Sequence, residues 1–104
     1  MKLMEIIQEW EEYMLEYRSN ISPLTYELDA LKSKKIEAFE AEDIEKGFSY
    51  LEIESEKIIE IIKALHKMYV PKIAQEAHRA ITGFCIKHKQ WLDYMDKSLR
   101  KLGA

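Results

Sequence analysis

One apolar rhythm dominates this chain and restricts what it can fold into. From Ile44 to Tyr69, and again from Ala77 to Leu102, mostly apolar residues recur at alternating spacings of four and three. Such spacings place side chains on one face of an α-helix. Only 3 Gly and 2 Pro occur among the 104 residues, which leaves too little turn chemistry for a many-stranded β fold. The sequence therefore predicts an all-α protein.

Two shorter helical segments precede this pattern. The first runs from about Lys2 to Arg18, and the second from about Pro23 to Ala41. Ser22 suits the N-cap of the second segment, with Pro23 at its first helical position. Asp43 suits the N-cap of the third helix. The second pattern is the weakest, because Lys35 falls where an apolar residue is expected.

These segments predict an antiparallel up-down bundle of four helices, two short and then two long, because short connections favour antiparallel neighbours. An alternative joins the first two segments into one helix bent around Pro23, which gives a three-helix bundle. We treat residues 1–104 as a single helical-bundle domain, since about 100–150 residues is the usual domain size. An apolar fraction of 47% is sufficient for a core.

The unequal helix lengths predict an exposed apolar end. The last two helices run for about 27 and 31 residues, roughly 40 and 46 Å, whereas the first two span only roughly 25–28 Å. If the first helix returns beside the start of the third, the tip of the long hairpin, residues 62–81, is left with little cover. Exposed apolar patches mark interaction sites. The candidate partner-binding residues of this hairpin tip are Leu65, Met68, Tyr69, Val70, Ile73 and Ala77. A tilted hairpin or a shifted first helix, which covers the tip, is the alternative.

Charge is divided unevenly along the chain. Residues 1–60 hold 7 basic and 16 acidic side chains, a balance of −9, and residues 61–104 hold 9 and 3, a balance of +6. The first helix carries an acidic stripe, and the fourth carries a basic face made of Lys72, Arg79, Lys87, Lys97 and Lys101. Such asymmetry can indicate an anionic partner. It is also explained if the acidic first helix faces the basic fourth helix within one bundle.

Catalytic and metal-binding patterns are missing from the sequence. Glu76 and His78 lack the Glu-x-x-His spacing of di-iron bundles, and no histidine pair has the i, i+4 spacing of a helical zinc site. A hairpin turn near Pro71 could still bring His66 close to His78, which leaves a metal site of these two residues and Glu76 as an alternative. His88 lies on the apolar face of its helix, which predicts a hydrogen-bonded core residue. We expect no enzyme, no cofactor and no metal.

The other scarce residue types add local expectations. Cys85, the single cysteine, is expected to pack as a small apolar residue. Gly83 lies in the middle of a helix, which suggests close approach of another backbone, whereas Gly47 lies near a helix start, where breaks are common. The aromatic residues of the first helix are expected to meet Trp91 and Tyr94 of the fourth.

Two functional hypotheses follow. The first is a small non-enzymatic adaptor or regulator that binds protein and forms a homodimer through the hairpin tip. The second is a nucleic-acid or anionic-ligand binder that uses the basic face, although a net charge of −3 disfavours nucleic acid. No apolar stretch is long enough for a bilayer, and Glu5 interrupts the apolar start that a secretion signal needs. We therefore expect a cytoplasmic protein without membrane association.

Overall fold

Four α-helices make up almost all of residues 2–103, the part of the chain that the computed structural model describes. They are α1 (Leu3–Asn20), α2 (Ser22–Glu40), α3 (Ile44–Lys67) and α4 (Gln75–Gly103), and a 3₁₀ turn at Lys72–Ala74 precedes α4. No strand occurs in this part of the chain. The helices contain 18, 19, 24 and 29 residues. The prediction of an all-α bundle with two shorter and then two longer helices is confirmed.

A tight turn reverses the chain between α2 and α3. Glu42 adopts a left-handed conformation with φ of 59°, and the Asp43 amide donates to the Ala38 carbonyl over 2.9 Å. This bond closes α2 in the manner of a Schellman motif. The Asp43 side chain then accepts a hydrogen bond from the Lys46 amide over 3.2 Å. Asp43 is therefore the N-cap of α3, as the sequence predicted.

The junction between α1 and α2 behaves differently. Ile21, the one residue between them, keeps helical dihedral angles. Its amide donates to the Tyr17 carbonyl over 2.8 Å, and its own carbonyl accepts from the Thr25 amide over 3.1 Å. Ser22 is already the first residue of α2 and makes no side-chain cap, so its prediction as N-cap is wrong. The chain bends here but does not reverse.

The contacts of α4 show that α1 and α2 run in the same direction. Tyr13 of α1 contacts His78, near the start of α4. Further along, Lys35 of α2 and His88 of α4 meet on the same carboxylate, that of Glu54. The molecule is 60 Å long, whereas a 29-residue helix spans roughly 44 Å. Of the two topologies, the contacts therefore match the bundle in which α1 and α2 form one bent rod.

The core follows α3, which packs against both α2 and α4. Its innermost apolar residues are Leu51, Ile58, Ile61 and Leu65. Cys85 of α4 is buried against this core, as the sequence predicted. Among residues 2–103, no helix combines the length and the apolar character that are needed to cross a bilayer.

The two helical glycines have opposite surroundings. A Cβ atom built on Gly47 would lie 2.5 Å from the ring of Phe39, so this glycine allows α2 and α3 to approach closely. A Cβ atom on Gly83 meets nothing within 4 Å. The expectation that Gly83 marks a close approach is wrong within this chain, and the close approach occurs at Gly47 instead.

The glycines give a paired stability prediction. We expect Gly47→Ala to destabilise the fold by about 1–3 kcal/mol, because the new methyl group displaces the Phe39 ring. Gly83→Ala is expected to stabilise it by up to about 1 kcal/mol, because alanine favours the helix and open space receives its methyl group. Urea unfolding monitored by circular dichroism measures both. Equal effects of the two substitutions would contradict this packing.

Candidate functional site

α1 covers part of the hairpin tip. Leu65 and Met68 are buried, so the predicted exposure is wrong for these two residues. The physical reason is the junction at Ile21: because the chain does not reverse there, α1 continues past the end of α3 and packs on the tip. Tyr69, Ile73 and Ala77 stay exposed, and Val70 is half-buried.

A hydrogen-bonded histidine attaches α1 to the tip. The Tyr13 hydroxyl lies 3.0 Å from His78 Nδ1, and His78 Nε2 lies 3.0 Å from the Leu65 carbonyl oxygen. Since a carbonyl can only accept, Nε2 carries the proton, and Nδ1 of the neutral ring accepts from Tyr13. One imidazole thereby joins α1, the end of α3 and the start of α4.

This arrangement does not support the metal hypothesis. Both ring nitrogens of His78 already have hydrogen-bond partners, and His66 is exposed. Across residues 2–103, no group of three or more His, Cys, Asp or Glu side chains is placed to hold a metal ion. The structure therefore does not bring His66, His78 and Glu76 together as ligands.

An apolar opening lies between α2 and α4, and we call it the α2–α4 groove. Both helices pack on α3, and their backbones do not pack on each other. The result is a cavity of about 450 Å³ that continues past Lys32, Phe84 and His88 into a second one of about 390 Å³. The apolar lining includes Leu28, Ile58, Ile61, Ala80, Ile81, Phe84 and Cys85. Lys32 and Lys87 lie beside it.

A buried charge cluster spans the floor of the groove. Glu54 of α3 is 0% exposed, and its Oε1 lies 2.7 Å from Lys35 Nζ of α2, as an ion pair without hydrogen-bond geometry. Its Oε2 accepts from His88 Nε2 of α4 over 2.8 Å. Because a buried carboxylate is costly without partners, these contacts tie the three helices together at one level. His88 is thus the hydrogen-bonded core histidine that the sequence predicted.

Exposed aromatic side chains follow the α4 side of the groove. Phe84 is 70% exposed and Trp91 is 60% exposed, and both line the cavity. Trp91 stacks on Tyr94, with ring centroids 6.2 Å apart and an interplanar angle of 26°. The predicted cluster with the α1 aromatics is wrong, because α1 lies beside the start of α4 and not beside its second half. Trp10 contacts Tyr13 instead.

The predicted basic face is exposed and unpaired, and its first member, Lys72, lies in the 3₁₀ turn before α4. No ion pair within residues 2–103 includes Lys72, Arg79, Lys87, Lys97 or Lys101. By contrast, Arg100 contacts Asp96 and Glu52 and covers the Phe48 ring. Glu9 of α1 shares a cavity with Lys72 and Arg79, but the described contacts include no ion pair between α1 and α4. Glu9 therefore lies near basic residues at the start of α4 without forming an ion pair with them.

Burial alters the acid–base behaviour of three groups near the groove. Burial raises the pKa of the Cys85 thiol above its usual value. It also raises the pKa of Tyr17, with a smaller contribution from Cys85, and the pKa of Tyr13, with a smaller contribution from Tyr17. All three groups are uncharged at neutral pH. The thiol is therefore a weak nucleophile, which agrees with a packing role for Cys85.

The groove and its charge cluster were not predicted from the sequence. The apolar rhythm of α3 placed Ser55 inward, whereas the fully buried side chain is that of its neighbour Glu54. A signal was present: Lys35 and His88 both fell at inward positions of their helices. Because buried polar side chains need partners, Lys35 and His88 together indicate an acidic residue on α3, the helix between them.

Comparison of the chain with protein-family models, with curated proteins and with solved structures finds no match.

Proposed function

We propose that this protein is a helical protein-interaction module that binds an acidic amphipathic helix in the α2–α4 groove. The observation that carries the proposal is that α2 and α4 both pack on α3 and not on each other. Three helices packed in this way leave space for a fourth helix between α2 and α4. An amphipathic helix buries its apolar face in such a groove and is recognised through anchors at helical spacing.

The composition of the groove supports an apolar anchor with acidic flanks. Its floor is apolar around Ile58 and Ile61, and the exposed Phe84 and Trp91 rings offer further contact area. Aromatic residues are enriched at the centres of protein interfaces. Lys32 and Lys87 stand beside this surface, so carboxylates along the flank of a bound helix find opposite charge.

The hairpin tip becomes a secondary surface in this proposal. Leu65 and Met68 belong to the core, which leaves Tyr69, Ile73 and Ala77 as exposed tip residues. Ile73 lines a cavity with Ile6 and Glu9 of α1, and neither Ile73 nor Ala77 is among the residues that line the groove.

A designed peptide tests the proposal directly. It has Leu at helical i, i+3, i+4 and i+7 positions and Glu at the remaining ones. We expect it to shift the Trp91 indole signal and the amide signals along α2 and α4 in NMR spectra of the labelled protein. Ala80, which is exposed and lines the groove, is the site for a blocking charge. Ala80→Glu is expected to weaken binding at least about tenfold.

Three controls define the result. Gln90→Glu places the same charge on α4 at an exposed position outside the groove lining and is expected to leave binding unchanged. The same peptide with Lys in place of Glu, and a scrambled peptide, are expected to bind more weakly. Absence of shifts along the groove would overturn the proposal. Preferential, salt-sensitive binding of single-stranded DNA at Trp91 and Tyr94 would instead favour the nucleic-acid hypothesis.

A further inference from the structure

We infer that the helix bound by the α2–α4 groove is α1 of a second copy of this chain. This inference rests on the proposed function and adds the identity of the occupant. It is carried by two surfaces that the fold leaves without partners: the apolar and acidic side of α1, and the apolar and basic groove.

Part of the apolar side of α1 has no cover in its own chain. Tyr13 is buried and Tyr17 is half-buried against the rest of the molecule. Leu3, Met4 and Ile7 are exposed in the first two turns of the same helix. The 3₁₀ turn and the start of α4 lie beside Ile6 and Glu9 of this helix and leave Leu3, Met4 and Ile7 uncovered. They are free to contact a neighbouring molecule.

The charges of the two surfaces are complementary. The acidic residues of α1 are Glu5, Glu9, Glu11, Glu12 and Glu16, against one basic residue in its last turn, Arg18. No carboxylate of α1 takes part in an ion pair within the described chain, and neither Lys32 nor Lys87 does. Glu11 follows Ile7 by one turn and therefore shares its exposed side. A second copy brings these opposite charges together.

Contact between the same two surfaces also limits the assembly to two copies. Each copy carries one α1 and one groove, so two copies related by a two-fold axis can make the contact twice. Such reciprocal pairing uses both surfaces and leaves neither available for further growth. The expected species is therefore a dimer and not an open chain of copies.

A charge-swap experiment tests this inference on the full-length protein. One variant carries Glu11→Lys and Glu12→Lys, and the other carries Lys32→Glu and Lys87→Glu. In sedimentation equilibrium we expect the wild type to dimerise, and each variant alone to self-associate at least about tenfold more weakly. An equimolar mixture of the two variants is expected to dimerise again, because both reciprocal contacts then pair opposite charges.

Matched controls separate this effect from net charge. Glu37→Lys with Glu56→Lys repeats the charge change of the first variant at exposed, unpaired positions on α2 and α3, and Lys34→Glu with Lys63→Glu repeats that of the second. Both control variants are expected to dimerise like the wild type. Circular dichroism verifies that every variant stays helical.

The outcomes are distinguishable from those of the peptide experiment. A monomeric wild type at the highest attainable concentration would overturn the second-copy inference, and peptide binding in the groove would still uphold the proposed function. A wild-type dimer that both swapped variants retain would place the self-contact elsewhere and also overturn the inference. Restoration of the dimer only in the mixture supports α1 as the occupant.

Discussion

Glu54→Gln is expected to destabilise the protein by about 3 kcal/mol, because it leaves the Lys35 ammonium in a buried site without its counter-charge. The change keeps the size of the side chain, so packing is largely preserved. Glu54 is 0% exposed and contacts both Lys35 and His88, so the substitution removes the negative charge that both partners face. Urea unfolding of the wild type and the variant gives the difference in the free energy of unfolding.

Two further variants identify the cause. Glu52→Gln removes a carboxylate that lies two residues away and makes an exposed pair with Arg100, and we expect it to cost less than about 1 kcal/mol. Replacement of the whole cluster, with Lys35→Met, Glu54→Leu and His88→Leu, is expected to recover most of the lost stability, because no buried charge remains. If Glu52→Gln and Glu54→Gln lower the free energy of unfolding equally, the charge cluster does not hold the three helices together as described.

Leu65→Ala is expected to destabilise the protein by about 2–5 kcal/mol, as is usual for truncation of a buried leucine. Leu65 is 0% exposed in the core cluster that also contains Tyr13 of α1, and its carbonyl oxygen accepts a hydrogen bond from His78. We expect an additional local effect, because the cavity removes support for the contact of α1 with the tip. Amide hydrogen exchange should therefore quicken more in α1 than in α2.

The matched position at the same tip is Ile73, which is 50% exposed. Ile73→Ala is expected to change the free energy of unfolding by less than about 0.5 kcal/mol. Thermal unfolding of both variants under one set of conditions provides the comparison. A large loss at Ile73 with a small loss at Leu65 would contradict the burial of Leu65 and the exposure of Ile73.

The sequence predicted the helices well because their signals are local. The four-three rhythm of α3 and α4, the Asp43 cap and the helix-breaking region before Pro71 each depend on residues within a few positions of one another. Whether the chain reverses or only bends at Ile21 depends also on residues that are distant in the sequence. A proline in the first turn of a helix is compatible with both a reversal and a bend. The apolar residues of the hairpin tip favour the bend, because α1 can bury them only if the chain continues in the same direction after Ile21.

The site was less predictable for the same physical reason. Exposure of Leu65 and Met68 was inferred from helix lengths on the premise that α1 returns, and that premise failed. The groove arises because α2 and α4 share α3 without packing on each other, a property of three helices that no single periodicity encodes. The basic face, by contrast, was visible in the sequence, since its spacing is local, but whether acidic side chains pair with it was not.

The position of α1 beyond the end of α3 also governs how the molecule moves through solvent. The Cα radius of gyration is 17.2 Å, against about 13 Å for a compact chain of this size. A rod of 60 × 20 × 18 Å experiences more friction than a sphere of equal mass. A lone copy will therefore elute early from a gel-filtration column, close to the volume of a heavier compact protein. Elution volume alone thus exaggerates the mass of this chain, whereas sedimentation equilibrium is independent of shape.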